Sequence, residues 1–149
     1  VKQYLPLLKL GLPSNLDAWD GYPAERDRIF SLFKNNNSKL ISLAGDTHNA
    51  WFSKLLNNAE EHIGYEFGTP SVTSPGLSEY LHGVNPRELE QGIINANKEI
   101  KWVNTSHRGY TKIYLNDSIL KGTFKFIESV LEKSAEISFS KTFTIDPKS

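Results

Sequence analysis

The sequence predicts a mixed α/β fold of the α+β kind, with a mixed sheet, antiparallel hairpins and about two to three helices. Three observations carry that expectation. Ala24 to Lys34 places Ile29, Phe30 and Phe33 on one helical face. Leu40 to Ala44 is a short apolar run without helical spacing, the pattern of a strand buried on both faces. From Ile100 onward strand-like runs follow one another, and the last alternates Ser138, Ser140, Thr142 and Thr144 with Phe139, Lys141, Phe143 and Ile145.

Residues 1–22 hold Pro6, Gly11, Pro13 and Gly21 too close together for a long helix, so an irregular lead-in packed by Leu5, Leu8, Leu10 and Trp19 is expected. Pro23 suits the first position of the helix that follows, and Asn35-Asn36-Asn37-Ser38 ends it. After the Leu40–Ala44 strand, Ala50 to Leu56 fits either a short helix or an alternating strand. The Asn57-Asn58 break and the Glu60-Glu61 pair predict a turn into a second strand over Ile63 to Thr73, most simply as a hairpin, closed by Thr73-Ser74-Pro75-Gly76. Asn85-Pro86-Arg87-Glu88 has the pattern of a helix cap, and that helix should run to about Lys98. Trp102-Val103 and Tyr110 to Leu115 are the next strands, with His107-Arg108-Gly109 between them. Asn116-Asp117 offers a turn, Leu120 to Val130 and Ile137 to Ile145 are two further strands, and Asp146 to Ser149 is a frayed tail.

The 149 residues suit a single domain or fragment over 1–149, with no internal repeat. Lys plus Arg and Asp plus Glu are both 17, so no basic field exists to hold a nucleic acid and none is expected as a partner. The absence of cysteine excludes disulfides, thiolate ligands and a thiol nucleophile. No apolar stretch approaches the roughly 20 residues that span a bilayer. The chain begins at Val1 and contains no methionine, so a processed or excised piece of a longer product is expected, with any targeting segment lost.

The chemistry concentrates in Gly45-Asp46-Thr47-His48-Asn49-Ala50-Trp51, directly after the predicted buried strand. Asp46 and His48 are two apart at a strand's carboxyl end, where α/β folds place their sites, and could converge on one cation. A turn capped by Asp46, with His48 bonded to backbone, is about equally compatible with the residues alone. A carboxylate with an imidazole suits Zn, Mn or Fe, and with fewer nitrogens Ca or Mg. Asn49 could meet a bound anion or merely close the turn, and Trp51 reads as core. Arg108 could meet a phosphate or be a solvated hairpin-tip residue. Glu66 and Asp20 are candidate supporting carboxylates. A nucleophilic triad through Ser74 with His62, His82 or His107 has little support, because no Gly-x-Ser-x-Gly elbow appears.

Three stretches together resemble a family: Trp19-Asp20-Gly21-Tyr22-Pro23-Ala24-Glu25-Arg26, Gly45 to Trp51, and Tyr65-Glu66-Phe67-Gly68-Thr69-Pro70-Ser71-Val72-Thr73-Ser74-Pro75-Gly76. Their order and spacing are similar to those in the carboxyl-terminal part of PhoD-like alkaline phosphatases, within the calcineurin-like metallophosphoesterases. Arg108-Gly109-Tyr110 also resembles that family's entry into its final hairpin. The resemblance implies the carboxyl-terminal part of an α/β/β/α sandwich and a phosphomonoesterase or phosphodiesterase using Fe, Ca, Zn or Mn. It implies Asp46 and His48 as catalytic metal ligands, with Asn49, Glu66 and Arg108 near substrate or behind the ligands. Gly-Asp-x-His stands where the wider superfamily has Gly-His-x-His, and the superfamily's earlier ligand motifs lie upstream of Val1. The implied partners are therefore a phosphate ester and the amino-terminal half of the same enzyme, without which this chain is expected to be inactive. Self-association is also plausible, and a periplasmic or secreted location follows from the resemblance only. The competing reading is a non-catalytic β-rich binding or scaffold module recognising a partner through Trp19, Trp51 and Tyr80.

Overall fold

A computed structural model describes residues 17–134 and 136–146. The predicted lead-in residues Leu5, Leu8 and Leu10, and residues 147–149 of the predicted frayed tail, lie outside the described residues. The chain divides into two compact units between Ser38 and Lys39.

In the first unit a 3-10 turn, Trp19–Gly21, precedes helix α1, Pro23–Asn35. Pro23 occupies the first position, where its missing N–H costs no helical bond. Phe30 is the buried residue of α1, and Arg28 pairs with Glu25 one turn earlier at 2.6 Å. Trp19, expected to pack the lead-in, is instead 52% exposed.

The second unit is two sheets packed face to face. The first has the order β1-β3-β2-β4, from Leu40–Ala44 (β1), Ala50–Leu56 (β2), His62–Gly68 (β3) and Ile100–Asn104 (β4). The second has the order β5-β6-β7, from Arg108–Leu115, Leu120–Ile127 and Ile137–Ile145. A short helix α2, Leu77–Tyr80, and a longer one α3, Pro86–Ala96, separate β3 from β4. Asn85 caps α3 as its sequence predicts, its Oδ1 accepting from the Arg87 N–H at 2.9 Å.

Ala50 to Leu56 is resolved as a strand because it has ladder partners on both sides, β3 and β4, and both pairings are antiparallel. The expected β2–β3 hairpin forms, but β3 stops at Gly68 rather than Thr73, since Pro70 cannot donate to a ladder. β1 is not buried on both faces. It is an outer strand paired parallel to β3, and Leu43 is 63% exposed. Its apolar run specifies a strand, whereas its place in the sheet follows from which strands find it as a partner. Arg108 and Gly109 do not bridge a hairpin either. They open β5 in the second sheet, while β4 belongs to the first.

The inner faces meet through aromatic rings. Phe52 stacks on Phe143 at 3.9 Å between centroids, Phe67 lies 6.0 Å from Phe124, and Trp102 lies 5.0 Å from Phe124. Strand alternation supplies this layer: along β6, Leu120, Gly122, Phe124 and Phe126 are buried and Lys121 is exposed. Gly122 is required by close approach, because a Cβ there would stand 2.1 Å from the Phe67 ring.

Two outcomes follow for the folded chain. Phe67→Ala should cost about 3–5 kcal/mol in urea unfolding, and Gly122→Ala about 1–3 kcal/mol by overpacking. In the Phe67→Ala background the Gly122→Ala cost should largely disappear, because the ring it strikes is gone; strictly additive costs would contradict this packing. At the start of β3, His62 Nε2 donates to the Gly64 carbonyl at 3.0 Å and Lys39 Nζ approaches Nδ1 at 3.3 Å. Burial first, and the Lys39 ammonium second, push the His62 imidazolium below its ordinary 6.5. The unfolded chain then binds the extra proton, so stability is full above that unfolded value and is lost as pH falls from it toward the lower folded value. Unfolding midpoints of His62→Gln should fall less steeply than wild type as pH drops below the ordinary imidazole value of 6.5.

Candidate functional site

Because β1 and β3 run parallel, their carboxyl ends lie together, and the two loops that leave there face each other. The five-residue loop 45–49 joins β1 to β2, and residues 69–76 join β3 to α2. Thr69 N donates to Ala44 O at 2.8 Å where they part.

Within the first loop Asp46 and His48 both have left-handed backbone, φ 69° and 61°. Each such residue costs on the order of 1–2 kcal/mol, although Asp and His tolerate this region better than most side chains. Their side chains therefore do not follow the simple extended alternation expected from sequence. The surroundings over-determine the strain. Thr47 N donates to Gly45 O at 2.8 Å, Trp51 Nε1 to Thr47 Oγ1 at 2.7 Å, and Asn49 Nδ2 to Thr47 O at 2.5 Å. Asp46 is exposed and His48 half-buried.

The His48 Nδ1 lies 3.1 Å from the Pro75 carbonyl. A carbonyl can only accept, so Nδ1 carries the proton, and in the neutral ring Nε2 then keeps its lone pair. Buried Asn49 ties the same loops together, its Oδ1 accepting from Leu77 N at 2.9 Å. Both ends of its amide are thus engaged in structure. Glu66 lies in β3 and accepts from Ser42 Oγ of β1 at 2.9 Å, a cross-strand tie within the sheet.

Arg108 is 6% exposed, where a solvated residue was one expectation. Its Nη2 donates to Glu79 Oε1, while Nε and Nη1 are buried without an acceptor among the described residues. The other oxygen of Glu79, Oε2, accepts from the Gly76 N–H at 2.9 Å. Gly76 is itself confined: a Cβ would stand 2.6 Å from the Thr105 carbonyl and 2.9 Å from Asn49 Oδ1. Ser78 binds Thr105 Oγ1 at 2.6 Å, and Thr105 N donates to Glu90 of α3 at 2.8 Å. Sequence reasoning missed Glu79 and Ser78. The Gly76-x-x-Glu79 spacing is half of a capping box and was the available signal.

Ser74 has no base. His62 is engaged with Gly64 and Lys39, and His107 Nδ1 with Asn104 and Ser106. His82 is exposed. A cavity of about 570 Å³ between α3, the end of β4 and Phe139 is lined by Arg87, Glu90 and His107, among others, and includes neither Asp46 nor His48. Among the described residues no three His, Asp or Glu side chains cluster closely enough to hold a metal.

Alkaline phosphatase D of Bacillus subtilis (strain 168) is 31% identical to this chain over 134 residues, 87% of the chain. The match takes in 22% of the relative, so the chain spans about a fifth of its length. No solved structure matches. Residues 3–124 match the profile of PhoD-like phosphatases, and over that extent the chain belongs to the PhoD-like phosphatase family.

Proposed function

We propose that this chain supplies one wall of the site of a metal-dependent phosphoric ester hydrolase, acting on monoesters or diesters, with Asp46 and His48 as metal ligands. The observation that carries the reading is the contact between His48 Nδ1 and the Pro75 carbonyl. Its Nδ1–H is committed to the Pro75 carbonyl, which presents Nε2 as a donor atom at the same strand end as the exposed Asp46 carboxylate.

An oxygen and an imidazole nitrogen fit a hard or borderline cation such as Fe, Ca, Zn or Mn. Two donors do not close a coordination shell, so the remaining ligands would come from elsewhere in a longer enzyme. A phosphatase about five times as long as the matched segment supports that arrangement. The chemistry that bound cations would supply is acidification of the attacking water and neutralisation of charge on the phosphoryl oxygens. This chain's own part is to hold the two donors in a strained, pre-set loop, so little ordering remains when substrate arrives. Asn49 joins the loops that carry them. Buried and paired with Glu79, Arg108 is better suited to supporting the loop than to gripping a phosphate in solvent.

In a full-length PhoD-like phosphatase containing this segment, His48→Ala or Asp46→Ala should lower turnover of p-nitrophenyl phosphate and its bis ester by more than about 100-fold, beyond the range for supporting residues. The unfolding midpoint should hardly move, and unchanged turnover with folding intact would sink the assignment. Chelation should abolish turnover in the unmodified enzyme, and restoring Fe, Ca, Zn or Mn singly and in pairs should identify the cations that work.

A further inference from the structure

We propose that Glu79 is a positioning residue for His48, acting through the Pro75–Gly76 peptide unit. The C=O and N–H of that unit belong to one rigid plane. Its carbonyl accepts from His48 Nδ1 at 3.1 Å, and its N–H donates to Glu79 Oε2 at 2.9 Å. A carboxylate bound at the N–H end fixes the plane and polarises the carbonyl, which strengthens the bond that the carbonyl accepts at its other end.

Glu79 would be a poor anchor by itself, since its side chain is 44% exposed. Arg108 corrects this by holding Oε1 from a buried position at the start of β5. The order of influence is thus Arg108, Glu79, the Pro75–Gly76 peptide, and His48. A histidine often gains its orientation from a carboxylate or carbonyl bonded directly to the ring. Here the carboxylate acts one peptide further back. The consequence is a chosen tautomer: an unrestrained imidazole favours the proton on Nε2, and this relay keeps it on Nδ1.

The inference rests on His48 being a ligand, but its first test needs no metal. Long-range 1H–15N spectra of the histidine rings in the metal-free chain should show His48 protonated on Nδ1. Glu79→Ala should shift His48 toward the Nε2–H form. Ser78→Ala, which removes the neighbouring anchor of α2 to Thr105 without touching the Pro75–Gly76 peptide, should leave the tautomer as it is. In a Zn2+ titration followed at the same ring signals, Glu79→Ala should weaken the midpoint about tenfold, the lower end of the range for groups behind a metal ligand. An unchanged His48 tautomer in Glu79→Ala, or an equal shift in Ser78→Ala, would overturn the relay. The ligand reading stands or falls on the His48→Ala turnover of the full-length enzyme, while the tautomer comparison decides the relay whether or not Zn2+ moves His48 in this chain.

Discussion

The interface on which the second unit depends is a layer of aromatic rings between two sheets. Phe52, Phe67 and Trp102 come from one sheet, and Phe124, Phe126 and Phe143 from the other. Large rings bury much apolar area per residue, and their tilted and offset contacts add a directional preference that aliphatic packing lacks. Gly122 lets the Phe67 ring lie directly against the β6 backbone, so the spacing of the sheets is set by ring thickness. With both sheets held in this way, the strand ends, and the loops that leave them, acquire defined positions.

The loops at the carboxyl ends of β1 and β3 use that rigidity. Two departures into left-handed backbone within three residues, at Asp46 and His48, would not persist in an isolated turn. They persist because Trp51, Asn49 and Thr47 bond within the loop, and because Leu77 and Pro75 hold it from the facing segment. Asn37 and Glu60 adopt the same backbone in turns elsewhere, and the loop 45–49 differs in holding two such residues at once, offset by the hydrogen bonds around them.

Behind that corner lies a second tier of polar contacts built from separate parts of the chain. Glu79 comes from α2, Arg108 from β5, Thr105 from the β4–β5 connection and Glu90 from α3. Burying the Arg108 guanidinium is costly unless it is paired, and Glu79 offsets part of that cost. The burial makes sense as support for the loop between β3 and α2, since Gly76 sits between Arg108, Asn49 and Thr105.

The sequence by itself determined the local elements and the family. Pro23 and Asn85 mark helix starts, alternation marks β7, and Gly45 to Trp51 with Tyr65 to Gly76 carries the phosphatase resemblance; each signal is written in adjacent residues and needs no distant partner. Whether Ala50–Leu56 was helix or strand, which strand lay at the edge, and whether Arg108 was solvated were not legible, because each depends on pairing with residues far along the chain. The same holds within the candidate site. Asp46 and His48 were visible as a motif, but the tautomer of His48 and the part played by Glu79 were decided by tertiary structure alone. A hydrogen bond across 27 residues and an ion pair across 29 leave no periodic trace in the sequence.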